Sequence, residues 1–472
     1  MARALVGGSS AAVLVLEILA GRLLAPYVGV SLETFTGIIG IVLAGIAAGA
    51  WAGGVMADQQ DPNKLIGIML AAGGALTWIV LPILDALGPQ FGNGGVAIVV
   101  LSLAALFLPA AVLSTVTPLV AKLTLGDLND TGAVVGGLSA AGTIGALAGT
   151  FITGFVLVSA LPTRLTVIIL GLLLVVWGLV THLMLAKTRP PLNSALLVLF
   201  AAAGALTAGQ PCAYETGYFC GNVIVDEDNP AERSLILDGL RHAFVDLDDP
   251  TNLDIRYIRL FAQVSDSLPS GSLNSLHIGG GGFSFPRYVQ EVRPGSTDLV
   301  LEIDPSLVTL GEEQLGLMQT DSFQIQVGDA RLALGDIDDD IYDLIIGDAF
   351  GSASVPWHLT TEEFIGEIDR VLAPDGVYVM NVIDGDNFDF ARAEVATLAT
   401  IFEHVQIIIP PDGLPLRGPA NVILVASPVE LPDLQIAAED GQLIIGDEAA
   451  DFYAGASTLT DDFAPVDNLQ GG

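Results

Sequence analysis

The chain has 472 residues, too many for a single ordinary domain. Hydrophobic residues make up 52% and charged residues only 15%, a balance foreign to a soluble enzyme. A formal net charge of −36 speaks against nucleic acid as a partner, because phosphates need a basic surface. The two halves differ: residues 1 to about 209 are apolar with few charges, and the rest carries most of the acids. No lysine follows Lys187. Adaptation to high salt and attraction of a cationic substrate both account for that acidity.

In chain order, apolar runs predict membrane spans at about 4–24, 32–57, 65–87, 95–120, 132–158, 164–186 and 193–209, the last marginal in length. The first span carries Glu17, an acid at a costly depth that suits either a hydrogen-bonded structural role or a transport role. Arg22 near its end can snorkel. The fifth span is rich in small residues, Gly132, Gly136, Gly137, Gly142, Gly145 and Gly149, as close helix packing in lipid requires. If the N-terminus is cytoplasmic, Arg3, Lys64, Lys122, Lys187 and Arg189 fall on that side and Arg164 on the other, as the positive-inside rule favours. Seven crossings would then put the acidic region outside, together with Cys212 and Cys220. These two cysteines suit one disulfide or two thiols, and they show no metal-ligand spacing.

From Tyr214 to about Val264 the pattern reads as strands, with a hairpin signal at Asp238-Gly239. From Leu273 strands and helices alternate, as in a parallel doubly wound sheet. Strands are expected at 273–279, 298–303, 323–327, 341–347 and 376–382, with a closing antiparallel pair at 404–410 and 420–426. Helices are expected near 284–292, 305–316, 329–334, 361–371 and 387–402. The expected fold is therefore a transmembrane helical domain (1–210), a small antiparallel β lobe (211–265), a Rossmann-like nucleoside-binding domain (266–428) and an acidic, irregular tail (429–472).

Chemistry concentrates at the strand ends. Ser275 to Ile278 lead into Gly279-Gly280-Gly281-Gly282 and then a helix start at Ser284-Phe285-Pro286. That is a strand, a tight turn open to close ligand approach, and a helix N-terminus. About twenty residues on, Glu302-Ile303-Asp304 ends the next strand, where nucleotide folds put a ribose-binding acid. Gly328-Asp329-Ala330 follows the third strand, Asp348 ends the fourth, and Asn381 and Asp384 end the fifth. In this arrangement Glu302 would accept from ribose, Asp329 from an adenine amino group, and Asp348 would face the reacting centre. For each acid alone, a helix cap or a solvated loop is the plain alternative.

Residues 213–426 resemble the spermidine synthase (polyamine aminopropyltransferase) family, which shares its fold with S-adenosylmethionine methyltransferases. The matching pieces are Glu215-Thr216 with Tyr218, Leu237-Asp238-Gly239, Ile278-Gly279-Gly280-Gly281 with Arg287, Glu302-Ile303-Asp304, Gly328-Asp329-Ala330, Tyr342 to Ile346 and Leu359 to Phe364. The resemblance implies a transferase with Asp348 as catalytic aspartate, Glu302 on ribose and Asp329 on adenine. It implies S-adenosylmethionine or its decarboxylated form as co-substrate, an amine or polyamine acceptor, no metal, a lipid membrane as support and homodimers as an assembly. Three positions depart from the pattern. Gly282 stands where the family has an acid for the aminopropyl end, which points toward ordinary S-adenosylmethionine and a methyltransferase. Gly351 replaces a second aspartate, and the Tyr-His-Glu amine motif reads Tyr257-Ile258-Arg259. Tyr257, Arg259, Trp357 and His358 are candidate substrate residues, with His358 a base near neutral pH. Asp461, Asp462 and Asp467 are candidates to replace the missing carboxylates. A non-catalytic transporter or sensor with a nucleotide fold is the other reading. The cytosolic supply of such a cofactor favours the cytoplasmic side.

Overall fold

In the computed structural model the described residues are 1–91, 94–125, 131–351, 354–385, 387–411 and 419–470. The chain divides into two compact units, Met1–Cys220 and Gly221–Gly472.

The first unit is helical: α1 (Ala2–Val28), α2 (Leu32–Gln59), α3 (Pro62–Leu87), α4 (Gly95–Ser114), α5 (Val116–Thr124), α6 (Thr131–Ile152), α7 (Val158–Ala160), α8 (Thr163–Leu185) and α9 (Leu192–Thr207). A π-helical stretch, Thr153–Leu157, joins α6 to α7. Among the described residues, six helices are long and apolar enough to cross a membrane, α4 and α5 together counting as one. Of the seven expected spans, 193–209 is the exception: α9 has only 16 residues. The glycine-rich fifth span is half explained by packing. A Cβ on Gly145 would strike the backbone of Gly7, and one on Gly149 that of Ala11, whereas Gly132 and Gly136 face open space. Glu17 is half-buried in α1.

Past α9 the chain folds back on the bundle. Cys212 and Cys220 form a disulfide, which decides between the two expectations for them. In the short strand β1 (Tyr214–Glu215), the Glu215 carboxylate accepts from the Thr163 amide at 2.9 Å and from the Thr163 hydroxyl. It thereby supplies a cap that α8 lacks in its own sequence. Arg22 pairs with Glu215 at 3.3 Å and donates to the carbonyls of Thr216 and Gly217.

The second unit opens with an antiparallel meander, β2 (Cys220–Val225), β3 (Glu232–Leu237) and β4 (Leu240–Asp246). Asp238 and Gly239 both have positive φ, 48° and 81°, as the expected two-residue hairpin turn demands. The β reading of 211–265 fails at its end. Residues Arg256–Ser267 form helix α10, because Ile258, Phe261 and Ser265 are buried at helical spacing.

The core is an eight-stranded sheet. Its strands are β5 (Asn274–Ile278), β6 (Thr297–Glu302), β7 (Phe323–Val327), β8 (Tyr342–Gly347), β9 (Leu372–Asp384), β10 (His404–Ile409), β11 (Ala420–Ser427) and β12 (Gln442–Ile444). Its order is β12-β10-β11-β9-β8-β5-β6-β7. The pairs from β7 to β9 are parallel, and β11, β10 and β12 add antiparallel edges. Between the strands lie α11 (Ser284–Val292), α12 (Pro305–Gln314), α13 (Ala330–Leu334), α14 (Glu362–Val371) and α15 (Asp389–Ile401). One face buries Leu276 and Ile278 with Phe364 and Phe390; the other packs Leu344 and Val379 against Phe261 and Phe285.

The segment 429–472 is not an irregular tail. Beyond β12 it forms α16 (Gly446–Phe452) and α17 (Val466–Gln470), and Phe452, Leu459 and Val466 are buried in the core. From Gly221 on, the expected β lobe belongs to one unit with the sheet, as does the tail.

Candidate active site

The strand order reverses between β5 and β8. The chain builds β6 and β7 on one side of β5, then returns to place β8 on the other. Such a switch point leaves a crevice at the carboxyl edge, where open α/β sheets take ligands. Along that edge, in sheet order, stand Asp329, Glu302, Gly279, Asp348 and Asn381.

The glycine turn is built for close approach. Gly279 has φ 94°, and a Cβ there would strike the carbonyl of Asp348. The Asp348 amide donates to the Ile278 carbonyl at 2.9 Å, so the two strand ends are locked together. Gly281 (φ 51°) and Gly328 (φ 153°) both look onto open space. Gly282 differs: a Cβ would collide with that of Ala243 on β4. The position where the family has an acid is therefore closed by packing.

Asp348 is largely buried, and its Oδ1 accepts from the Asn381 amide at 2.9 Å. Burial pushes its pKa up, against the pull of hydrogen bonds from Asn381 and Tyr257 and of the nearby His242 and His277 rings. The Tyr257 hydroxyl donates to the His242 carbonyl at 3.0 Å and lies within hydrogen-bonding reach of Asp348. Burial first, and the adjacent Asp348 second, hold the Tyr257 pKa well above its ordinary value. The hydroxyl has one proton, which the carbonyl and the carboxylate share. A small recess of about 10 Å³, room for about one water, is lined by Gly347, Ala349, Val355, Leu359, Tyr378 and Asn381, among others.

Other expected ligands carry structural duties. Glu302 is 4% exposed. Its Oε2 accepts from the Gly280 amide at 2.8 Å and the Gly281 amide at 3.3 Å, and its Oε1 from the Asp304 amide at 2.9 Å. It braces the glycine turn, and burial raises its pKa against those three bonds. Asp304 caps α12 through the Ser306 amide at 2.9 Å. It is fully buried, and its Oδ2 has no partner. Asp329 caps α13 through Leu332, while its Oδ2 meets His358 Nε2 at 3.0 Å. Ala330 is buried behind it. His358 is thus turned to Asp329 rather than to Asp348, and its neighbour Trp357 is half exposed.

Arg259, a candidate substrate residue, suits a carboxylate as partner. It has found one within the protein: Nε and Nη2 bind Asp440 at 2.9 and 2.6 Å, and Nη1 binds the carbonyls of Leu253 and Asp254. Asp461 is taken by Arg331 at 2.5 Å and by Thr361, and Asp467 accepts from Ser354 at 2.9 Å. Asp462 is exposed. Sequence reasoning overlooked His242 and His277 around Asp348. His277 sits in a strand and is tied to buried Asp298 at 2.7 Å, so only the strand order brings it near Asp348. Among the described residues no group of three or more His, Cys, Asp or Glu side chains could hold a metal ion.

No family model matches the chain. Over 215 residues it is 27% identical to a polyamine aminopropyltransferase of Vibrio vulnificus, spanning 41% of this chain and 69% of that protein. A probable spermidine synthase from Corynebacterium glutamicum superposes with a TM-score of 0.50 at 27% identity, over 54% of this chain and 97% of the other. A stretch of 122 residues is 29% identical to the human eEF1A lysine and N-terminal methyltransferase, spanning 24% of this chain and 18% of that protein. The α/β part is accordingly spermidine-synthase-like, a transferase of the fold that these enzymes share with methyltransferases.

Proposed function

We propose that the protein is a membrane-bound transferase that moves an alkyl group from an S-adenosyl sulfonium compound to an amine. The supporting observation is the row of Asp329, Glu302, the glycine turn Gly279 to Gly281, and Asp348 along one sheet edge. In this reading a nucleoside would lie along that edge, with its ribose beside Glu302 and its base toward Asp329. A sulfonium supplies a carbon with a good leaving group, so the protein mainly has to position its partners.

Asp348 would accept the proton that the amine nitrogen loses as its new bond to carbon forms and the carbon–sulfur bond breaks. Asn381 fixes one carboxylate oxygen, and Tyr257 steadies the ionised form. Burial keeps bulk water from competing for that carboxylate. The aminopropyl group is the first candidate for transfer, given the Vibrio vulnificus relative. Methyl transfer is the second, favoured by Gly282, whose contact with Ala243 leaves no carboxylate for a cationic aminopropyl tail.

Calorimetry on the full chain with S-adenosylmethionine and its decarboxylated form, followed by mass spectrometry of a di- and polyamine panel, tests this reading. A product heavier by an aminopropyl or a methyl group is expected. Absence of binding by both nucleosides would remove the transferase reading.

A further inference from the structure

The packing of the first unit fixes which helix ends share a face of the membrane. α6 runs along α1 in the same direction, since Gly145 meets Gly7 and Gly149 meets Ala11. α8 runs against α3: Gly67 meets His182, and Gly74 meets Gly171. α9 runs with α3. Gly204 lies on Pro82, and five residues later the Gly209 amide donates to Asp85 at 3.0 Å. Arg164, in the first turn of α8, closes the same corner by donating to the carbonyls of Gly209 at 2.7 Å and Ala205 at 2.9 Å. The ends of α1, α3 and α9 and the start of α8 therefore share one face. Met1 and the start of α9 lie at the other.

At 1.5 Å per residue, α9 spans about 24 Å, a little short of a hydrocarbon core. Its far end is nevertheless held at the second face by Asp85 and Arg164, and a short span is accommodated by thinning of the bilayer or by snorkelling at its ends.

We propose that α9 is a seventh crossing, that Gly209–Cys220 lies on the extracytoplasmic face, and that the chain enters its second unit from that side. Two independent observations give the direction. Arg3, Lys64, Lys122, Lys187 and Arg189 stand on the Met1 face. Within the described residues of the first unit only Arg22 and Arg164 stand on the other; Arg22 is taken up by Glu215 and backbone carbonyls, Arg164 by backbone carbonyls. That asymmetry puts Met1 in the cytoplasm. The Cys212–Cys220 bridge lies on the opposite face, and such bridges persist in oxidising compartments. On closing, its two thiols lose two protons and pass two electrons to a disulfide-donating oxidant of that compartment, which is reduced. The proposal reverses the side that cofactor supply favours, and it does not rest on the transferase reading.

Topology reporters test it without any turnover. The full chain is fused after Gly472 to alkaline phosphatase, which is active only outside, or to green fluorescent protein, which matures only inside. Active phosphatase with dark fluorescent protein is expected; the reverse pair overturns the proposal. Deleting residues 190–208 should exchange the two signals, and unchanged signals would show that α9 does not cross. In acid-trapped cells expressing the unfused chain, maleimide-polyethylene glycol should add nothing before reduction and two adducts after it. Two adducts without reduction would also overturn the proposal.

Discussion

Glu394 on α15 is fully buried, and neither carboxyl oxygen has a partner. Burial holds its pKa well above the ordinary 4.5. A buried polar group without a partner costs about 1–3 kcal/mol, and a hydrophobic residue of similar volume costs less than about 1.5 kcal/mol to repack. Glu394→Leu should therefore gain roughly 1 kcal/mol at pH 5. The gain grows with pH. Above 4.5 the unfolded carboxyl ionises while the folded one stays protonated, so the wild type loses stability as pH rises toward the folded-state pKa, by up to about 1.4 kcal/mol per pH unit. Between pH 5 and pH 7 the gap between variant and wild type should widen by up to about 2.7 kcal/mol. For a unit of this size that is about 5–10 °C in melting temperature. Scanning calorimetry of both full-length proteins in detergent at the two pH values measures it, and Glu394→Gln should fall between them at pH 7. A variant that melts below the wild type at pH 7, or a gap that does not change with pH, would refute the argument.

Other expectations concern the site. Asp348→Asn should lower turnover by roughly 100- to 10,000-fold while nucleoside affinity by calorimetry changes only a few-fold; unchanged turnover removes Asp348 from the chemistry. Tyr257→Phe removes a bond that lowers the Asp348 pKa, so the acid limb of the pH–rate profile should move to higher pH. Gly279→Ala should cost more than about 1 kcal/mol and weaken nucleoside binding, since its φ of 94° and the Asp348 carbonyl both oppose a side chain. His358→Ala frees Asp329 Oδ2, and nucleoside affinity should rise a few-fold if that oxygen serves adenine; an unchanged dissociation constant would exclude Asp329 as the adenine ligand.

Much of the α/β core was legible because its signals are local. Apolar runs ending in Gly279, Glu302 and Asp348 fix strand and edge together, and Asp238-Gly239 announces its own turn. The misses are matters of partners. The expectation of strands up to about Val264 passes over the helical spacing of Ile258, Phe261 and Ser265. Arg259 looked like a ligand because its partner, Asp440, lies far along the sequence. The last forty residues looked solvated because their acids outnumber the few apolar anchors, Phe452, Leu459 and Val466. In the helical unit, length alone could not place α9, since what positions its end is Arg164 and Asp85.

The contacts made beyond residue 440 have a consequence for anyone trimming the protein. Asp461 grips Arg331 and Thr361, and Asp467 grips Ser354, so acids far along the chain tether residues close in sequence to Asp329 and Asp348. The edge strand Gln442–Ile444 extends the sheet from the same stretch. A version cut short at residue 440 would keep Glu302, Asp329 and Asp348 and still lose the tethers that hold their surroundings.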